Sequence, residues 1–197
     1  MPAGCPSVST IENPTEVDTN VVASRRSEPN RPQEAHINVA NVTRWSNQPC
    51  TYLAGFDDID AAYNPAVFNV LSPHWGYEMQ MYPDPAQIEE GRSLLENWDM
   101  IVGHHTHAPQ VVTAYQTNDA RKLLAYSLGD FCTYLRNAKY HHGIVLRAEV
   151  GPDKEGNWKV GRVEWRCSIV DQVDEGTTRV RLADGCELFE LPESAYR

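Results

Sequence analysis

The sequence has no long apolar segment and little positive charge, and each lack excludes a class of protein. No apolar run approaches the ~20 residues that a membrane-spanning helix needs, and the opening residues, MPAGCPSVSTIENP, lack the charged start and apolar centre of a signal peptide. With 17 Lys and Arg against 27 Asp and Glu, the net charge is -10, whereas nucleic-acid and anionic-membrane surfaces need clustered cations. We therefore expect no nucleic-acid partner, no membrane segment in this chain, and a local cation wherever an anionic substrate binds.

The cysteines also lack a recognisable framework. The five are odd in number, widely spaced and without a Cys-x-x-Cys pair, so their spacing indicates neither a zinc ribbon nor a disulfide scaffold and leaves the redox compartment open.

The first 35 residues lack periodicity of any kind. They are rich in Pro, Ser, Asn and Glu, which predicts a disordered or extended lead-in over residues 1–35. The chain is long enough for one further domain with a real core. We assign that domain to residues 36–197.

Clear secondary-structure patterns begin near residue 66. Residues 66–71 have the pattern of a buried strand stopped by Pro73, apolar spacing predicts a helix over about residues 85–97 with Pro85 at its first position, and residues 99–102 form the next strand. This order predicts a βαβ unit, whose parallel strands end at the same edge of a sheet.

Histidines follow both of these strands. His74 comes after the first, and His104, His105 and His107 lie within four positions after the second. In an extended segment alternate side chains share a face, so His105 and His107 would lie side by side. Neutral imidazole is the commonest protein ligand of transition metals, and ligands collect at this edge of open α/β sheets. We predict a metal site formed by His74, His105 and His107; a polar turn of solvated histidines is the alternative.

Extended runs dominate the rest of the chain. VVTAYQT, KLLAYSLGDF, GIVLRAEV and WKVGRVEWRCSIV are separated by turn signals and predict a largely antiparallel meander, followed by a hairpin turning at Asp184-Gly185. The acidic segment GFDDIDAAY lacks the spacing of a calcium loop and predicts the capped start of a short helix.

The segment AYSLGDF offers a second chemistry. Ser127 and Asp130 could serve a Ser-His-Asp hydrolase, but the G-x-S-x-G elbow of that class is absent. Gly129 is instead expected to let the backbone turn near the site, with Asp130 as a partner of a metal ligand or as a plain turn residue.

Four motifs in this order resemble the CapA family of poly-γ-glutamate capsule synthesis proteins: HWGYE (74–78), YPDPAQ (82–87), DMIVGHHTHAPQ (99–110) and AYSLGDF (125–131). The resemblance covers about residues 66–150. It implies an α/β fold, the C-terminal half of a calcineurin-like metallophosphoesterase sandwich, with a βαβ unit followed by an antiparallel meander. It also implies divalent transition metals (Mn, Zn or Fe), two in the complete fold.

The resemblance assigns roles to individual residues. His74 and His105 would share one metal, and His107 would serve the other. Glu78, His104, Gln110 and Asp130 are expected near the ligands or the substrate, although the family usually has Asn where this chain has Asp130.

The family's earlier metal motifs, a Gly-Asp, an acidic segment and an Asn-Asn-His, have no counterpart in residues 1–65, where His36 stands alone. We therefore expect only the C-terminal half of the fold, as a partial reading frame, a split protein or a degenerate relative. For the full-length protein, the resemblance implies a metal-dependent phosphoesterase-like hydrolase that acts on an anionic polymer or a phosphoester.

The cellular role implied by the resemblance is synthesis or export of poly-γ-glutamate or another cell-surface polymer. It places the protein at the cell surface or outside the cytoplasm, with a membrane-bound synthesis complex as partner. The alternative is a non-catalytic binding or assembly module that keeps part of the metal site.

Overall fold

The structure, a computed structural model, describes residues 37–45, 54–116, 121–133, 140–174 and 177–183. Its helices are α1 (Ile59–Ala62), preceded by a 3-10 turn at Phe56–Asp58, and α2 (Pro85–Leu94). Its strands are β1 (Ile37–Thr43), β2 (Phe68–His74), β3 (Met100–Val102), β4 (Val112–Gln116), β5 (Arg121–Ala125), β6 (His142–Pro152), β7 (Trp158–Asp174) and β8 (Thr177–Leu182).

The strands form two sheets. The first has five strands in the order β1-β2-β3-β5-β4, in which β4 is antiparallel to β5 and all other neighbours are parallel. The second is an antiparallel sheet of β6, β7 and β8. The mixed α/β class and the parallel βαβ unit of β2, α2 and β3 are therefore confirmed.

The predicted meander is correct for the antiparallel pairs β4 with β5 and β6 with β7, but the two pairs lie in different sheets. Strand β5 lies beside β3 in parallel, with Met100 opposite Leu123 and Ile101 opposite Leu124. Leu123, Leu124 and Ala125 are all buried, because a central strand of a parallel sheet is covered on both faces. The hairpin of β4 and β5 consequently belongs to the first sheet.

Alternate residues of the central strands enter two cores. Leu71, Ile101 and Leu124 pack with Leu95 and Trp98, which follow α2. On the other face, Phe68 of β2 and Leu123 of β5 pack with Val160 of β7. The five-stranded sheet is therefore the middle layer, between the helices and the three-stranded sheet, and the histidine loops emerge at its end.

Two predicted boundaries were wrong. Strand β2 continues through Pro73, because the carbonyl of Pro73 accepts a hydrogen bond from His104 N (2.9 Å) and so extends the pairing with the β3 side. Helix α2 begins at Pro85 as predicted, with Asp84 as its N-cap, but ends at Leu94. The short helix predicted in GFDDIDAAY is present as the 3-10 turn and α1.

The cysteine spacing did not reveal that Cys167 is disulfide-bonded. Cys132 is free and exposed. In the part of the chain that the structure describes, no helix combines the length and apolar character needed to cross a bilayer. The predicted lead-in, His36 and the Asp184-Gly185 turn lie outside the described residues, so the predicted division of the chain stays a prediction.

Candidate metal centre

The ends of β2 and β3 bring the predicted histidines together. His74 is the last residue of β2 and pairs in parallel with His104, just beyond β3. Trp75 N donates to His104 O (3.2 Å), so the two chains leave the sheet side by side. The predicted convergence of His74 with the His-x-His segment at one sheet edge is thus confirmed.

The His-x-His segment is not extended, contrary to our prediction. His105 has a φ of 99° and His107 a φ of 59°, left-handed values that are uncommon for residues other than glycine. Just before this turn the backbone of Gly103 is closely packed: a Cβ on it would lie 2.1 Å from Tyr126 O and 2.3 Å from Trp75 Nε1. Backbone strain of this kind clusters at functional sites.

His74 and His105 form a close imidazole pair. His105 Nδ1 lies 3.0 Å from His74 Nε2. Burial lowers the pKa of both rings; His107 lowers the pKa of His74 further, and His74 that of His105. Both imidazoles are therefore held neutral around pH 7, with lone pairs available to a cation.

His107 and Asp130 form a second pair. His107 Nδ1 lies 2.9 Å from Asp130 Oδ1 and 3.2 Å from Oδ2. An ionised carboxylate only accepts hydrogen bonds, so this contact places the proton on Nδ1 and leaves the lone pair on Nε2. The His107 and His105 ring centroids are 6.5 Å apart, and the two pairs are therefore neighbours.

The other predicted residues surround these pairs. Glu78 is exposed, and its charge raises the pKa of His105 against the larger effect of burial. Burial also lowers the pKa of His104, followed by the effect of His74. Gln110 is 3% exposed and donates from Nε2 to Gln80 O (2.9 Å). Gln110 thus joins the His-x-His loop to the loop after β2.

Two aromatic residues at the site were missed by sequence reasoning. The Trp45 ring centroid lies 4.8 Å from that of His105, and the Tyr140 centroid lies 5.2 Å from that of His107. Trp45 follows β1, the parallel neighbour of β2. Recognising β1 as a strand would have placed Trp45 at the same edge.

Ser127 does not form a hydrolase site. Its side chain is fully buried, and its Oγ accepts a hydrogen bond from Gly129 N (3.2 Å). Gly129 has a φ of +68°, which agrees with the predicted turn. Because Ser127 has no exposed surface, it is poorly placed to attack a substrate.

The imidazole and carboxylate side chains at this site are of types that bind transition metals, but few of them converge. Imidazole and carboxylate are suitable ligands for Zn, Mn and Fe. Within the described residues, however, no group of three His, Cys, Asp or Glu side chains is arranged to hold one ion. The described part of the site therefore consists of two adjacent pairs.

Comparison with known proteins decides the family. The family model described as bacterial capsule synthesis protein PGA_cap matches residues 11–134, well over half of the chain. The chain belongs to this capsule synthesis protein family. The match begins at residue 11, so the predicted extent of the resemblance, about residues 66–150, began too late in the chain. The Gly-Asp and Asn-Asn-His motifs themselves are absent from residues 1–65.

The chain is also similar to the capsule biosynthesis protein CapA of Bacillus anthracis. The two are 35% identical over 63 residues, which is 32% of this chain and 14% of that protein. The match thus spans only a small part of the relative's length. No solved structure matches the chain significantly.

Proposed function

We propose that the chain contributes a divalent-metal site of the metallophosphoesterase type to a protein of capsule or other cell-surface polymer synthesis. The observation that carries the proposal is the 3.0 Å separation of His105 Nδ1 and His74 Nε2. Family membership and the likeness to the B. anthracis protein support the link with capsule synthesis.

The separation of these nitrogens fits two ligands of one ion. Metal-nitrogen bonds of roughly 2.0 to 2.1 Å would put the two nitrogens about 2.9 Å apart at a right angle and about 3.3 Å apart at the tetrahedral angle of zinc, and the observed 3.0 Å lies between these values. Ligation through His105 Nδ1 would leave the proton on Nε2, which is buried and has no hydrogen-bond partner among the described residues. His107, oriented by Asp130, would supply the adjoining position.

Zn, Mn or Fe bound here would lower the pKa of a coordinated water and polarise a phosphoryl oxygen. The protein's own residues would hold the imidazoles neutral by burial and fix the His107 tautomer through Asp130. Trp45, 42% exposed, would cover one side of His105 and limit access of water.

Metal titration of the purified chain tests this proposal. Equilibrium dialysis with Zn or Mn should give binding that His74→Ala and His105→Ala each weaken strongly. His142→Ala, which changes an exposed histidine on β6, is the matched control and should bind as the wild type does. Equal binding by all four proteins would contradict the proposal.

A non-catalytic binding or assembly module is the second candidate. It is favoured by the lack of a three-ligand group within the described residues. The two candidates differ in catalytic turnover. A binding module would bind metal but would not hydrolyse phosphoesters with any metal, either alone or as part of a longer protein.

We also propose that the protein acts at the cell surface or outside the cytoplasm. Membership of the capsule synthesis family supports this location. The disulfide at Cys167 supports it independently, since disulfides persist mainly in oxidising compartments.

A further inference from the structure

Two aromatic side chains stand beside the imidazole pairs. The Trp45 ring centroid lies 4.8 Å from that of His105, and the Tyr140 centroid lies 5.2 Å from that of His107. The centroids of His105 and His107 are 6.5 Å apart. The four rings are therefore neighbours in the order Trp45, His105, His107 and Tyr140.

The two aromatic residues reach the imidazoles from opposite sides. The histidines come at the ends of β2 and β3, the middle pair in the strand order β1-β2-β3-β5. Trp45 follows β1. Tyr140 precedes β6, whose Gly143 pairs with Gly129 in the loop after β5. A ligand held at the imidazoles therefore has Trp45 on its β1 side and Tyr140 on its β5 side.

These rings are accessible to a ligand. Trp45 is 42% exposed and the His107 side chain 34% exposed, while Tyr140 is half-buried. Aromatic side chains beside a few polar groups are typical of sites for organic ligands. A phosphomonoester carries one organic group and a phosphodiester two, so an aromatic contact on each side suits a diester.

The charge around the imidazoles favours uncharged organic groups. The described loops after β2, β3 and β5, which are residues 74–84, 103–111 and 126–133, contain no Lys or Arg. Arg44, after β1, is paired with Glu90. The whole chain has a net charge of -10, which repels further anionic groups on a ligand.

We propose that this site takes phosphodiesters with an uncharged sugar ring on each side of the phosphorus, and that Trp45 and Tyr140 each stack on one of these rings. A sugar ring presents a face of C–H bonds, which suits the negative face of an aromatic ring. The two side chains are then specificity-determining residues. The inference rests on the proposed function, because the metal would hold the phosphate between them.

Calorimetric titration of the zinc-loaded chain tests the proposal, with zinc saturation of each protein confirmed by dialysis. The probes are a phosphodiester of two glucose units and a phosphomonoester of glucose. The diester should bind more tightly, and Trp45→Ala and Tyr140→Ala should each weaken its binding about 2- to 10-fold, the size of one stacking contact. The double variant should bind both probes alike.

Trp165→Ala is the matched control, because it removes an exposed tryptophan from the other sheet, and it should bind the diester as the wild type does. Equal diester affinity in the wild type and both single variants, with zinc bound, would overturn the inference and leave the proposed function standing. Tighter binding of a thymidine dinucleotide than of the glucose diester would overturn the assignment to sugar rings.

A measurement on the metal-free wild type keeps the inference testable even if zinc does not bind. With the glucose diester in excess, NMR cross-relaxation should connect the sugar C–H protons with the ring protons of Trp45 and of Tyr140. Failure of zinc binding together with these signals would contradict the proposed function alone. Lack of the signals at both rings would overturn the inference.

Discussion

His107 Nδ1 lies 2.9 Å from Asp130 Oδ1, and this contact joins the loop after β3 to the loop after β5. The carboxylate fixes which ring nitrogen of His107 carries the proton. Asp130 thereby determines which nitrogen can face a cation.

Asp130→Ala should therefore weaken zinc binding by about 10- to 100-fold, since the ring of His107 would lose its orienting partner. Asp130→Asn should have a smaller effect because its amide oxygen can still accept the Nδ1 proton. Calorimetric titration at constant pH measures both. Asp171→Ala removes a carboxylate paired with Arg181 in the other sheet and is the control; a loss of the same size there would show that the effect is not local.

The metal affinity should fall only below pH 6.5. A ligating imidazole must be neutral, and burial lowers the pKa of His74 and of His105 below the ordinary value of about 6.5. Protons should therefore begin to compete with the metal at a lower pH here than they would at a solvated histidine. Titration of Mn or Zn binding from pH 8 to pH 5 checks this, and a midpoint above 6.5 would contradict it.

The same pKa shifts predict the stability of the metal-free protein. Between the lowered folded-state pKa values and about 6.5, the unfolded chain binds more protons than the folded one. Stability should therefore decline as the pH falls below 6.5.

Gly103→Ala should destabilise the protein severely. The new methyl group would lie 2.1 Å from Tyr126 O, where the indole of Trp75 donates its hydrogen bond (2.9 Å). We expect a loss of about 3 kcal/mol, the upper end for an overpacked core, measured by urea unfolding. Gly151→Ala is the control, because a Cβ there meets nothing within 4 Å; equal losses in the two variants would refute the steric explanation.

Lys122 should contribute stability as a cap of the chain after α2. Its Nζ donates to Leu95 O (2.6 Å) and Glu96 O (3.2 Å), so Lys122→Ala should cost about 1 to 3 kcal/mol at pH 7. Burial lowers the pKa of Lys122. Between the lowered pKa of Lys122 in the folded protein and its ordinary pKa, the unfolded chain binds more protons than the folded chain. The free energy of unfolding of the wild type should therefore increase relative to that of Lys122→Ala as the pH rises towards 10.

Urea unfolding at pH 7 and pH 9.5 measures this difference. Lys154→Ala, at an exposed position, should show neither the loss nor the pH dependence. A difference between wild type and Lys122→Ala that shrinks at pH 9.5 would contradict the assigned sign.

Local patterns predicted those parts of the fold that depend on local sequence. Pro85 and the apolar spacing after it placed α2, and two short apolar runs placed β2 and β3, so His74 and His105 could be assigned to one edge. The position of β5 beside β3 could not be predicted in this way, because parallel pairing is set by residues distant in the chain. The left-handed φ of His105 and the close packing of Gly103 against Trp75 and Tyr126 were not predicted, because the spacing of residues does not reveal them.

The last prediction is that the chain of residues 1–197 alone has little phosphoesterase activity, even when it binds metal. Two cations ~3.5 to 4 Å apart repel strongly unless anionic ligands lie between them, and two-metal catalysis depends on that spacing. The carboxylate of Asp130, which could serve as such a ligand, is already hydrogen-bonded to His107.

The size of the expected loss of turnover follows from the positive charge that a second metal ion would have supplied. Removal of a single electrostatic donor from an active site can cost about 2.7 to 4 kcal/mol, so the lack of a whole cation should leave little turnover. The measurement is hydrolysis of phosphodiesters and phosphomonoesters by the purified chain with Mn, Zn or Fe, compared with His105→Ala and His107→Ala. Robust metal-dependent turnover that these substitutions abolish would show that this chain supplies a complete site, with bridging ligands that the histidine and aspartate pairs do not account for.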